Sequence, residues 1–126
     1  MTAYLEHANY TVSDNAATAA WMQTLFGWQI RWQGSSIDGG RSIHVGTATQ
    51  YLALHTPADA TVGKADSYHM NGGLNHIAVV VDDLAATEDA VTRAGFTPTD
   101  HADYEPGQRF YFHDHDNIGY EVVQYD

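Results

Sequence analysis

Two histidines and one glutamate stand out for the chemistry they can do together. His7 lies in Leu5-Glu6-His7 and His76 in Leu74-Asn75-His76, 69 residues further on; Glu121 lies in Tyr120-Glu121-Val122-Val123. Two neutral imidazoles and a carboxylate form a facial triad. Such a set holds one divalent cation and leaves coordination positions open for substrate or dioxygen; it suits Fe(II), Mn(II) or Zn(II). An unpaired carboxylate in a strand as apolar as that around Glu121 is costly, and a cation would supply its partner. The chain has eight histidines and no cysteine, so disulfides, thiolate ligands and thiol nucleophiles are excluded.

The two histidines are related by an internal repeat. The register that aligns His7 with His76 also aligns Val12 with Val81, Asp14 with Asp83, and Ala16-Ala17-Thr18 with Ala85-Ala86-Thr87. One residue is then lost, so that Gly27 meets Gly95, Arg41 meets Arg109, and Ala53 meets Glu121. Strand side chains alternate between faces. His7 should therefore share a face with Leu5 and Asn9, and His76 with Leu74 and Ala78.

Each half reads as β-α-β-β-β. In the first, a strand runs over Leu5 to Val12, and Ser13, Asp14 and Asn15 are residues that cap a helix start. A helix follows from Ala16 to Phe26, with Ala17, Trp21 and Leu25 on one stripe, and Gly27 ends it. Strands are expected at Trp28 to Trp32, Arg41 to Val45 and Tyr51 to His55. In the second half, Asn75 to Val81 is a strand, and Asp82-Asp83 caps a helix from Leu84 to Ala94 that stops at Gly95. Strands follow near Phe96 to Asp100, Arg109 to His113 and Tyr120 to Gln124. Thr56 to Gly73, with few apolar residues, is a linker. The expected fold is α+β: one domain over residues 1–126, with modules at about 4–56 and 74–126 forming a curved mixed sheet around a concave groove.

The bulk composition narrows the partners. At 126 residues the chain has the size of one domain. Five basic against sixteen acidic residues give a net charge of −11, so nucleic acid, which needs clustered Lys and Arg, is excluded as a partner. No run approaches the apolar length of a membrane span, and no leader sequence is visible; the expected location is the cytoplasm and the expected partner a small molecule.

The chain resembles the vicinal-oxygen-chelate proteins, which include glyoxalase I, fosfomycin-resistance enzymes, bleomycin-resistance proteins and extradiol dioxygenases. The likeness runs from Leu5 to Tyr125. It rests on Leu5-Glu6-His7, on Trp21 to Trp28, on Leu74 to Val79, and on Phe110-Tyr111-Phe112-His113-Asp114-His115-Asp116-Asn117-Ile118-Gly119-Tyr120-Glu121. In the last piece His115 and Asn117 replace the Pro and Gly usual in that family; the turn should survive, because Asn tolerates positive φ.

The resemblance implies one divalent ion per site, Fe(II), Mn(II), Zn(II) or Ni(II), held by His7, His76 and Glu121, in a homodimer. A glyoxalase I would place a fourth, carboxylate ligand where this chain has Ala53. That favours an extradiol-dioxygenase-like enzyme on a substrate with vicinal oxygens, with His101 and Tyr111 as the catalytic, proton-handling pair. The alternatives are a lactoylglutathione lyase-like isomerase that uses His55 as fourth ligand, and a metal-free binding protein of the bleomycin-resistance type. Arg109 is the one base near the proposed site; it can orient an anionic substrate, and an ion pair with Glu105 or Asp103 is the simpler expectation. Trp32 and Tyr111 are candidates for the pocket wall.

Overall fold

Asp14 and Asp83 start the two helices in the same way. Each has an extended backbone, and each side chain accepts from the backbone N–H three residues on, Ala17 and Ala86. Such a cap satisfies a donor that the first helical turn leaves free. Helix α1 spans Asn15–Phe26 and closes on Gly27 at φ 70; α2 spans Leu84–Arg93 and is followed by Gly95 at φ 96. Glycine takes this left-handed backbone without a Cβ penalty.

The computed structural model describes all 126 residues. They fall into two units, Met1–Val62 and Gly63–Asp126, divided within the expected linker. The first holds β1 (His7–Thr11), α1, β2 (Gln29–Ser35), β3 (Arg41–Gly46) and β4 (Tyr51–Thr56); the second holds β5 (His76–Val80), α2, β6 (Thr99–Tyr104), β7 (Gly107–His113) and β8 (Gly119–Tyr125). Each unit is therefore βαβββ, as the repeat requires, and the fold class is α+β. The strands are ordered β1-β4-β3-β2 and β5-β8-β7-β6. In each sheet the first strand pairs parallel with the last and the other pairs are antiparallel. No helix is long and apolar enough to cross a membrane.

One face of each sheet is closed by its helix. In the first unit Tyr10, Val12, Ile43, Val45, Leu52 and Leu54 are buried, together with Ala19, Met22 and Leu25 of α1. Asn15 ties the helix to the sheet: its Nδ2 donates to the carbonyls of Arg41 and Leu54. In the second unit Phe96, Phe112 and Tyr120 form a stacked column, with ring centroids 5.5 and 5.4 Å apart. Phe110, Val122 and Val91 of α2 are also fully buried.

Two local expectations need comment. The strand expected over Phe96 to Asp100 lies instead at Thr99–Tyr104, because Phe96 is used in the aromatic column. A bulge between Thr99 and Ala102, with Asp100 at φ 54, then resets the alternation. The turn before β8 does survive its substitutions: Asn117 sits at φ 59. Buried Asp114 holds it, with Oδ1 accepting from the backbone N–H groups of Asp116 and Ile118 and Oδ2 from the Tyr120 hydroxyl.

Candidate metal and substrate site

The face of the second sheet away from α2 carries the polar side chains. Alternation places Phe110 and Phe112 toward the helix and Arg109, Tyr111 and His113 on the opposite face. The strand registers then set Glu121 across from both Tyr111 and Ala78, and Gly119 across from both His113 and His76. His76 Nε2 stands 3.9 Å from Glu121 Oε1, and the Tyr111 hydroxyl donates to the same oxygen. Glu121 is 9% exposed. Its carboxylate raises the Tyr111 phenol to about 12, first through the hydrogen bond, then with the help of burial and charge repulsion.

Two of the proposed ligands, His76 and Glu121, thus lie close together in one unit. Neutral imidazole and carboxylate suit Mn(II), Fe(II) or Zn(II). A complete set is not formed: no group of three or more His, Asp or Glu side chains is disposed to hold an ion.

His7, the third proposed ligand, lies at the start of β1 in the first unit. Its Nδ1 contacts Glu6 Oε1 at 2.9 Å. A carboxylate only accepts, so Nδ1 carries a proton in this contact, and Nε2 is the nitrogen that the neutral ring would offer to a metal. The same hydrogen bond lowers the pKa of Glu6. The His7 ring stacks on Tyr51 at 4.7 Å, Tyr51 on His44 at 4.7 Å, and His44 meets Trp32 at 5.0 Å. One ring from each of the four strands thus forms a row across the sheet, with Arg31 4.3 Å above Tyr51. Burial, then the nearby His7 and Arg31 charges, holds the His44 pKa low.

The two units differ at one equivalent position. Tyr51 is paired with His7, and Gly119 with His76. The Tyr51 ring stacks on its histidine, whereas Gly119 has no side chain to set against His76, whose ring meets the edge of Tyr111 instead. A Cβ on Gly119 would stand 3.5 Å from the His76 Cβ and 3.6 Å from His113 Nε2. His113 therefore leans over β8 toward His76. The sequence reading missed it; the signal was its place two residues beyond Tyr111, on the same strand face.

His101 is not brought to Tyr111. It lies in the β6 bulge on the helix side, where Nε2 contacts Glu88 of α2 and the ring lies 5.9 Å from Phe110. The expected pairing of these two residues fails because the bulge changes the face on which His101 emerges. Arg109 also departs from expectation: its ion-pair partner is Glu121, at 3.7 Å, and not Glu105 or Asp103. Ala53 is buried in β4. His55, two residues on, shares a hydrogen bond between its Nδ1 and the Ser36 hydroxyl at 2.8 Å.

The family model for the glyoxalase/bleomycin resistance protein/dioxygenase superfamily matches residues 4–122. The chain belongs to that superfamily. No curated protein matches it. Among solved structures, the superfamily member's resemblance extends over whole chains. A glyoxylase/bleomycin resistance protein/dioxygenase domain from Frankia sp. EAN1pec is 20% identical, with 100% of both chains covered and a TM-score of 0.83. The fosfomycin resistance protein FosX from Listeria monocytogenes is 17% identical, with 100% of this chain and 96% of that one covered and a TM-score of 0.75. TnmS3, an antibiotic binding protein from Streptomyces sp. CB03234, is 17% identical, with 99% and 98% covered and a TM-score of 0.74. At these identities the structural likeness establishes the fold.

Proposed function

We propose that this superfamily member is a divalent-metal-dependent enzyme acting on a small molecule with two neighbouring oxygens, and that His7, His76 and Glu121 hold the ion. The observation that supports this most directly is the 3.9 Å approach of His76 Nε2 to Glu121 Oε1. A structure of FosX in complex with Mn(II) and a dihydroxypropylphosphonic acid gives a superfamily precedent. Fe(II), Mn(II), Zn(II) or Ni(II) would supply Lewis acidity toward the substrate oxygens.

The chain's own groups then divide the work. Glu6 orients His7, and His76 and Glu121 present their donor atoms from adjacent strands. With its pKa raised to about 12, Tyr111 keeps its proton at neutral pH. A protonated phenol there can donate a hydrogen bond to a ligand oxygen. Ala53 leaves a three-ligand set, which favours extradiol-type cleavage, or another addition or isomerisation on vicinal oxygens, over glyoxalase I chemistry. β1 and β5 are edge strands that carry His7 and His76, and a homodimer in which modules combine to complete each site is the proposed assembly.

Metal analysis of untagged protein, with and without chelator, tests this reading. About one divalent ion per chain is expected, with stoichiometric binding lost in His76→Ala. Wild-type metal content in that variant would sink the triad. Sedimentation of the fully loaded protein as a monomer would remove the dimer. A second reading, a metal-free binder of an aromatic molecule, is favoured by the ring row Trp32, His44, Tyr51 and His7 and by the likeness to TnmS3. Ligand binding indifferent to chelator would select it.

A further inference from the structure

Arg109 is one of only five cationic side chains in a molecule of net charge −11. It projects from β7 on the same face as Tyr111, and its side chain is 11% exposed. The guanidinium carbon lies 4.7 Å from the centre of the Tyr104 ring. Burying a guanidinium is expensive unless its donors are used. One of them is not: Nε is buried and makes no hydrogen bond.

Neutralising Glu121 does not account for this arrangement. An arginine placed for that purpose makes a paired contact at about 2.7–2.9 Å. Arg109 Nη1 is instead 3.7 Å from Glu121 Oε2, beyond hydrogen-bond reach. The other oxygen of Glu121 is engaged by Tyr111. A planar fork of donors is thus positioned by Tyr104, ion-paired with Glu121 without a hydrogen bond to it, and left with unused hydrogen-bonding capacity beside the proposed ligands.

We propose that Arg109 is the specificity-determining residue of this site and that its guanidinium receives an oxyanion, carboxylate or phosphonate, carried by the substrate. The proposal rests on the reading of this face as the substrate-binding face. In a strongly acidic protein the average field repels anions, so an anionic ligand needs one local cation with directional donors. Arginine provides these as a fork matched to an oxyanion.

Calorimetric titration of the intact protein with catechol, 3,4-dihydroxybenzoate and phenylphosphonate tests the proposal. At least one of the two anions should bind more tightly than catechol. Arg109→Gln should weaken that anion about tenfold or more, the value of a charge-assisted hydrogen bond, while catechol binding changes little. Arg109→Lys, which keeps the charge without the fork, should recover part of the loss. The preferred anion separates a planar carboxylate from a tetrahedral phosphonate. Equal weakening of all three probes by Arg109→Gln would make Arg109 structural and overturn the proposal, as would no preference for either anion in the wild type. Metal content, measured on the same samples, separates this outcome from failure of the triad: Arg109→Gln should keep its ion and lose the anion.

Discussion

Tyr111 and Glu121 face each other across β7 and β8, and the phenol hydroxyl donates to the Oε1 of the carboxylate. The hydrogen bond exists only while the phenol is protonated, so it holds the proton up to about 12, against about 10 for a free tyrosine. A folded-state pKa above the unfolded one contributes stability that is fully present below about pH 10 and is lost as pH rises through about 12. Ultraviolet titration should show the Tyr111 midpoint falling toward its ordinary value in Glu121→Gln. In Tyr111→Phe the part of the alkaline stability loss due to this group should vanish. An unmoved midpoint in Glu121→Gln would assign the shift to burial instead.

Ala53 governs the second prediction. It is buried and has no ligand atom to offer, while His55 Nδ1 is engaged by Ser36. Protein loaded with Ni(II) or Zn(II) should show negligible turnover of the hemithioacetal of methylglyoxal and glutathione. Robust turnover that disappears in His55→Ala would show that His55 serves as a fourth ligand and base, and the argument from Ala53 would fail.

The Asp114 turn gives a third expectation. Asp114→Ala leaves the N–H groups of Asp116 and Ile118 and the Tyr120 hydroxyl without their acceptor. Since each orphaned buried group costs about 1–3 kcal/mol, urea unfolding should register a loss of about 2–4 kcal/mol, allowing for partial rescue by water. Asp114→Asn, which keeps one acceptor oxygen, should lose less. A loss below about 1 kcal/mol for Asp114→Ala would show that the turn holds itself.

The legible parts of the sequence were those carried by local signals. Asp14 and Asp83 announce their helices, and Asn117 keeps a turn where a glycine is usual. The offset that pairs Ala53 with Glu121 reappears in the registers, where Ala53 lies opposite Asn9 and Glu121 opposite Ala78. What local pattern could not supply was anything that depends on a bulge or on contact across strands. Phe96 reads as a strand residue until the column with Phe112 claims it. His101 keeps its expected face only if β6 alternates without interruption. The partner of Arg109 follows from the β7–β8 register, which brings Glu121 nearer than the sequence-adjacent Glu105. His113 gains its significance from an absent side chain, that of Gly119.

The exchange of Tyr51 for Gly119 at equivalent positions means that the two halves are no longer interchangeable parts. One backbone plan appears twice with different side chains: one half carries a ring-lined wall, the other a carboxylate and a guanidinium. A chain assembled from two second halves would forfeit the aromatic wall; one assembled from two first halves would keep the wall and lose Glu121, a ligand of the proposed metal site. The chemistry of this molecule depends on how far its twin halves have grown apart.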